Sequence, residues 1–569
     1  MGPVGLAAVC RAPSRATATM ATALVAACVV LLVGAGVARA ASGPPTKATS
    51  KTTKPTPSHG ATTPKPSAAA DDDGYGAGDE AGFGDDVEDD DSVGFAPPPA
   101  TSTRTTAARS PWSLTGAVRS DWGLWTERIA ATPASSGIPL QGGDDNPFAK
   151  GRQNLDLTLG FKRGPWRVQA SVHGEVDAAY LYRSDDFDAA TVDEYRQLLQ
   201  VRETFVALAL GPLEFTIGRQ VVAWGEGDGM SVVDVVNPRD NREPGLSDLD
   251  DIRVPVLASR VGWFTTTAHG DHRVEAMVVH ETCNNLWRET CYGLRTPPLG
   301  PFSPLPAFFG GPSDTGAGGD VGAMLAKKQL RFGHEQTEMS WATQQWLLRW
   351  VYKGAGIDIG AYAASVLDKQ GVITKLDFFG LLDETKPELI MPLRHLRYEL
   401  LGTSGAKVVG DFLLKWELAW EHRKPFNTGN SAEVPPQLSY KRSDTVQVMA
   451  SVTWRGISNT IIGFEGMKAT LLDEPNDLLF PADVPMLSIR AQHNTWGERL
   501  HLTAVVLAVG ATAQYGWLAR GDVTWDIRDA LKLSASYVTY QPGDKFGPFA
   551  GLDRHDRAGL RLRWDFSAL

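Results

Sequence analysis

The chain has 569 residues, 66 of them acidic and 55 basic, for a net charge of −11. The stretch Asp71 to Asp91 alone holds eleven acidic residues and no basic one, so the remainder is near neutral, which argues against a basic nucleic-acid footprint. All 17 tryptophans lie between Trp112 and Trp564, and few large apolar residues follow residue 37 before Trp112, so packed structure is expected to begin near residue 112.

The N-terminus reads as a secretory signal. Arg11 and Arg15 precede an apolar run from Ala21 to Val37, and Ala38-Arg39-Ala40 supplies small residues for cleavage after residue 40. Two alternatives stay open: an uncleaved anchor, since the run is near the short limit of a membrane span, and lipidation at Cys28 within Val25-Ala26-Ala27-Cys28. No later segment has the roughly 18 uninterrupted apolar residues of a membrane helix. Export would leave Cys283 and Cys291, whose C-x7-C spacing fits no common zinc arrangement; in an oxidising compartment one disulfide is expected.

Residues 41–111 read as a linker of two chemistries. Ser42 to Ala70 is rich in Thr, Pro, Ser, Ala and Lys, and the acidic tract follows. Neither part can bury a core, so disorder is expected. The acidic tract reads as a solvated spacer; calcium binding and docking to a basic partner are the alternatives, without a regular D-x-D-x-D-G framework for the first.

From Trp112 onward the hydrophobic period is two. Leu155, Leu157, Leu159 and Phe161 alternate with polar or small residues, as do Trp166, Val168, Ala170, Val172 and Val176. The pattern recurs at Phe412, Leu414, Trp416, Leu418 and Trp420, at Val446 to Trp454, at Tyr515 to Ile527, and at Ala558 to Phe566. These runs exceed the five or six residues usual for soluble strands and match the roughly 9–11 of a tilted transmembrane strand. With a signal peptide and aromatics near strand ends, they predict an all-β fold: a transmembrane antiparallel barrel over residues 112–569, with 16–18 strands. Candidate strands begin near residues 113, 153, 165, 194, 212, 257, 271, 340, 355, 393, 407, 440, 458, 484, 499, 513, 530 and 556.

Two stretches break the period. Cys283 to Asp320 is Pro-rich and reads as an external loop. Residues 225–256 carry Gly225, Gly227 and Gly229, then Asn237-Pro238, and read as a segment folded into the lumen as a constriction. Counting from the turn at Gly211-Pro212 puts Leu208, Val206, Phe215 and Ile217 on one apolar face. Strict alternation would put Arg219 on the lipid side too, at roughly 2–4 kcal/mol at the midplane. A β-bulge at Gly218 is expected to re-aim it inward; snorkelling at the interface is the alternative. Arg219, Glu226, Asp240 and Arg239 are then expected to form a charge network pinning the segment, whether as an anchor or as a solute contact.

The same region carries a family resemblance. Ile217-Gly218-Arg219-Gln220-Val221-Val222, Trp224-Gly225-Glu226, Asn237-Pro238-Arg239-Asp240 and Arg253-Val254-Pro255-Val256 occur in that order. This resembles the domain-of-unknown-function 1302 family, porin-like outer-membrane proteins of Gram-negative bacteria, with Asn-Pro-Arg-Asp standing where Asn-Pro-Val-Asp is expected. The C-terminal Arg557, Gly559, Leu562 and Trp564 resemble the signal read by the barrel assembly machinery, although Ser567-Ala568-Leu569 lacks the usual aromatic end. The resemblance implies help in moving poorly characterised, often hydrophobic compounds across the outer membrane, with lipids, the assembly machinery, an unknown solute and a periplasmic or inner-membrane transport partner as contacts.

Enzyme signatures are weak. His334-Glu335 lacks the second His of H-E-x-x-H, no G-x-S-x-G or Walker loop occurs, and Gly225 to Gly229 do not make G-x-G-x-x-G. His269 and His272 read as a solvated turn rather than a metal site. No enzyme activity, cofactor or metal is expected. A channel for small or hydrophobic solutes is the leading reading, and a structural or adhesive barrel without transport is the alternative.

Overall fold

A computed structural model describes residues 110–126, 147–184, 195–240, 252–280, 329–334, 340–375, 388–430, 437–473, 483–543 and 555–568, with some isolated residues between them. The expected signal at 1–40, the linker up to residue 109, the loop at 283–320 and the cysteines Cys283 and Cys291 lie outside the described residues.

Eighteen antiparallel strands form one closed sheet. In chain order they are β1 (Trp112–Trp125), β2 (Phe148–Arg163), β3 (Trp166–Asp177), β4 (Gln197–Leu210), β5 (Leu213–Gln220), β6 (Val256–Thr267) and β7 (Gly270–Val279). After a short β8 (Gln329–His334) come β9 (Gln345–Gly354), β10 (Ile357–Leu367), the small β11 (Val372–Ile373) and β12 (Glu388–Arg394), and β13 (Arg397–Val409). The barrel finishes with β14 (Phe412–Asn430), β15 (Gln437–Ile457), β16 (Thr460–Leu471), β17 (Met486–Thr495), β18 (Leu500–Val509), β19 (Trp517–Arg528), β20 (Leu531–Gln541) and β21 (Arg557–Ala568). Each strand pairs with its neighbours in the ring, and β1 meets β21 from Leu114↔Ala568 to Trp125↔Arg557, which closes it. β8, β11 and β12 form a separate three-stranded sheet in the long connections around β9 and β10, and a five-residue helix, α1 (Ala178–Tyr182), follows β3.

The residue pattern explains the closure. The alternating apolar side chains point outward and stay exposed: Leu155, Leu157 and Leu159 on β2, and Phe412 through Trp420 on β14. Their polar neighbours face inward, where Arg152, Asn154, Glu175, Glu417 and Thr453 are buried. This is the reverse of a soluble sheet, and it fits a barrel whose outer solvent is lipid. Trp112, Trp166, Trp263, Trp350, Trp525 and Trp564 girdle one end, and Trp122, Trp346 and Trp420 the other. Turns such as Gly164-Pro165, Gly211-Pro212 and Gly410-Asp411 lie at the first end, and every long connection at the second.

The expected bulge at Gly218 is corrected. The pairing of β5 runs without a register shift against both β4 and β6. The extra residue lies instead in β4, where Ala170↔Thr204 is followed by Val172↔Val201. Gly218 breaks the alternation by conformation: at φ +136 it turns the backbone without adding a residue, a region that L side chains rarely adopt. Ile217 is accordingly 59% exposed on the outer face, while Arg219 is only 6% exposed. A Cβ at Gly218 would lie 2.2 Å from the Thr204 carbonyl oxygen.

Two measurements follow from this architecture. The folded protein should run faster on a cold detergent gel than after boiling; a single position under both conditions would overturn the barrel. Gly218→Ala should cost roughly 1–3 kcal/mol in urea unfolding from lipid vesicles. Gly463→Ala, whose added methyl would meet nothing closer than 3.9 Å, should behave as wild type.

Candidate functional site

Residues 221–255 leave the wall after β5 and return to it at β6. Around the ring, β14 is six strands from β5 and β16 is eight, so a contact with either crosses the lumen.

The root of the segment is a polar knot. The Asn237 side-chain oxygen accepts from the Val222 amide at 2.7 Å, and its nitrogen donates to the carbonyls of Gln220 at 3.1 Å and Val254 at 2.9 Å. The Val254 amide donates to the Pro238 carbonyl at 2.8 Å, and Arg219 Nη2 donates to the Pro255 carbonyl at 2.9 Å. The Gln220 side-chain nitrogen donates to the Ala258 carbonyl at 3.0 Å. Each backbone group satisfied this way would otherwise be a buried donor or acceptor without water.

Beyond the root, Trp224 is almost fully buried against Tyr362 of β10, with ring centroids 5.2 Å apart. Val222, Val232, Val233 and Val236 extend that contact into an apolar cluster with Ala258, Met277, Leu347, Leu400 and Met449. Val233 lies so close to the wall that a Cβ at Gly402 would be 2.7 Å from it.

The far contact is made by two carboxylates. Glu417 of β14 accepts from the amides of Glu226 at 2.6 Å, Gly227 at 3.0 Å, Val232 at 2.7 Å and Val233 at 3.3 Å, and from the Ser231 hydroxyl at 2.8 Å. Glu465 of β16 accepts from the amides of Asp228 at 3.0 Å, Gly229 at 3.0 Å and Met230 at 2.8 Å. Lys415 pairs with Asp228 between them. The glycines make this wrapping possible: Gly225 stands at φ +93, and a Cβ at Gly227 would fall 1.9 Å from the Met230 carbonyl oxygen. Successive amides turned toward one centre form a concave anion site, here filled by the protein's own side chains.

A third attachment holds the returning half. Glu243 pairs with Lys150 at 2.5 Å, Arg152 at 3.4 Å and Arg557 at 3.3 Å. Burial alone would raise the Glu243 carboxyl, but Lys150, Arg152 and Arg557 hold it far below the usual range. Arg242 pairs with Glu175 of β3 at 2.5 Å, and Arg520 of β19 donates to the Gly245 carbonyl at 3.2 Å.

The four charged residues expected to share one network are therefore distributed differently. Arg219 serves the root through Pro255. Arg239 pairs with Asp234 at 3.5 Å, and Asp240 with Arg242 at 2.9 Å, both inside the segment. Glu226 contributes its amide to the Glu417 contact, while burial and then Asp358 raise its carboxyl above the ordinary range. The cross-lumen grip belongs to Glu417 and Glu465, because a carboxylate takes several amides at once whereas a guanidinium only donates. Of the motif residues, Gly218, Arg219, Gln220, Asn237 and Pro238 build the root, Trp224 fills the apolar cluster, and Gly225 opens the amide turn. Sequence reasoning missed Glu417 and Glu465. The alternating Gly225, Gly227 and Gly229 were the available signal, since such a run implies a backbone approached closely by something else. His272 packs against Trp350 and Tyr352, at 6.0 and 5.1 Å between ring centroids.

A family model described as "Protein of unknown function (DUF1302)" matches residues 20–517. The chain belongs to the DUF1302 family. Comparison with curated proteins finds no match. Among solved structures, Acinetobacter baumannii OccAB3 is similar at 10% identity and TM-score 0.44, over 80% of this chain and 99% of that one. Pseudomonas aeruginosa OccK2 (OpdF), in complex with glucuronate, is similar at 10% identity and TM-score 0.41, over 80% and 98%. Pseudomonas aeruginosa OpdK with vanillate gives 10% identity and TM-score 0.41, over 80% and 99%.

The two carboxylates carry a direct prediction. Glu417→Ala should leave its partner amides without an acceptor and lower the local opening energy by roughly 2–4 kcal/mol. Hydrogen exchange at residues 226, 227, 232 and 233 should then speed by about 30- to 1,000-fold while the strand amides keep wild-type protection. Unchanged exchange at those four amides would refute the clamp.

Proposed function

We propose that the protein is a porin-like channel of the outer membrane of a Gram-negative bacterium, passing small or hydrophobic solutes through a lumen narrowed by residues 221–255. The supporting observation is the clamp itself: a glycine-rich turn carried across the barrel and held by Glu417 and Glu465 on the far wall. A barrel of this strand number is wide enough for an aqueous lumen, and the segment narrows it at a defined level.

The lumen wall supports a wetted passage. Arg119 and Asp156 pair at 3.0 Å with side chains 17% and 28% exposed. Ionised groups in a dry interior would each cost several kcal/mol, so water beside them is the consistent environment. Short turns mark the periplasmic end in barrels of this class. β1 starts at that end, so in this reading the linker preceding it lies in the periplasm.

Purified, folded protein should give unit openings in planar bilayers, and vesicles containing it should swell in some members of a panel of sugars, organic acids and apolar compounds. Glu417→Ala with Glu465→Ala should raise the unit conductance by freeing the segment from the far wall. Folded barrels without any openings would overturn the channel reading in favour of a structural barrel.

A further inference from the structure

We propose that the outward face of β13 to β15, just beyond the aromatic girdle at the long-connection end, binds the phosphate groups of an outer-leaflet glycolipid of the lipopolysaccharide type. The proposal rests on the outer-membrane placement and orientation given above, not on conduction.

Alternation fixes which side chains face lipid there. Tyr398 and Leu400 of β13 are buried inside, so Arg397, Glu399 and Leu401 point out. On β14, Glu417, Ala419 and Glu421 are buried, which puts Trp420 and His422 outside. On β15, Ser443 and Thr445 are buried, so Arg442 and Asp444 lie on the outer face. The pairing of β14 with β15 shifts register between Glu421 and Lys424, and Arg423 is exposed at that bulge with φ +58. Leu401 stands opposite Trp420 of the girdle, and Glu399 stands opposite His422 two residues nearer the strand ends. Side chains just beyond a girdle lie at the level of lipid headgroups.

The charges on this face are unevenly matched. Asp444 pairs with His422 at 3.0 Å and accepts from the Arg423 amide at 2.9 Å. Lys468 of β16 pairs with Asp483 at 3.1 Å, and Glu399 shares its strand face with Arg397. Arg397 is tied down by backbone: it donates to the carbonyls of Ser365 at 2.9 Å, Ala342 at 2.8 Å and Gln344 at 2.6 Å. Arg442 donates to the Arg397 carbonyl at 3.1 Å, so the two side chains adjoin. The guanidinium groups of Arg423 and Arg442 meet no carboxylate within ion-pair distance among the described residues, and both residues are exposed. Guanidinium forks bind phosphate oxygens through paired N–H donors. Below them, Leu401, Val448 and Phe464 are each about half exposed and offer an apolar wall to acyl chains. Trp341, 83% exposed, stacks on Trp346 beside the carbonyls that hold Arg397. Phosphates above and acyl chains below are the two parts of a phosphorylated glycolipid. The outward ends of β1, β3 and β4 carry Trp122, Leu124, Val176 and Leu199 instead, so the site lies on one side of the barrel.

The test titrates the folded, detergent-solubilised protein with lipid A carrying both phosphates and reads the complex by native mass spectrometry. Wild type should bind it, and the Arg423→Gln/Arg442→Gln double variant should bind about tenfold more weakly or worse. Lys407→Gln, which removes an exposed charge from the other end of β13, should bind as wild type. A second arm needs no variant: lipid A stripped of its phosphates should bind wild type about tenfold more weakly. Equal binding by the double variant, equal binding of the stripped lipid, or phosphatidylglycerol held as tightly as lipid A would each overturn the proposal. The placement is read separately, by density-gradient fractionation of cells. Protein recovered with the inner membrane would overturn that reading, a result distinct from every lipid-binding outcome.

Discussion

A sheet surrounded by lipid has no water to satisfy a free edge, so it must close on itself. The rest of this structure depends on that constraint. Closure between β1 and β21 pairs the last unpaired strand edges and obliges every strand to present one face to lipid and one to the lumen. Period-two alternation is the sequence form of that obligation. It also accounts for the many exposed large apolar residues, which would be a defect in water and are the lipid-facing surface here.

Closure leaves an interior that has to be filled or managed. The interior of this barrel is polar, and the chain narrows it with a segment that is itself mostly backbone. Irregular backbone at membrane depth is tolerated only where its amides find partners. Glu417 and Glu465 provide them, Asn237 does so at the root, and the valines beside Trp224 exclude water from one side. Glycines are needed because amides can converge on a carboxylate only where side chains do not intervene. The place of this segment across the lumen is thus set by the same few contacts.

Net charge and local charge lead to different conclusions in this protein. The −11 of the whole chain is accounted for by the tract between Asp71 and Asp91, which precedes the first strand in the sequence. Within the lumen, both signs are abundant and mostly paired. What differs from one wall to the other is which partner is covered. Around Glu275 the carboxylate is covered, with Arg260, Arg273 and Arg349 gathered round it, whereas Arg119 and Asp156 both stay partly exposed.

The sequence by itself determined the barrel. Alternation, strand length and turn residues are local properties, and lipid imposes them strand by strand. The eighteen candidate starts accordingly fall within a few residues of the observed strands, with the largest offsets of five residues at β2, β9 and β14. The inward segment was legible as an interruption of the period, and its root through the Gly218 to Pro238 motif. The tertiary structure alone decided what holds it. Glu417 lies nearly two hundred residues from the amides it binds, and in the sequence it is one polar position of an alternating strand. Gly218 likewise read as the place where alternation fails, but whether by an added residue or by a turned backbone depended on its neighbours. Which strands face each other across the lumen is a property of the closed ring, and no local pattern records it.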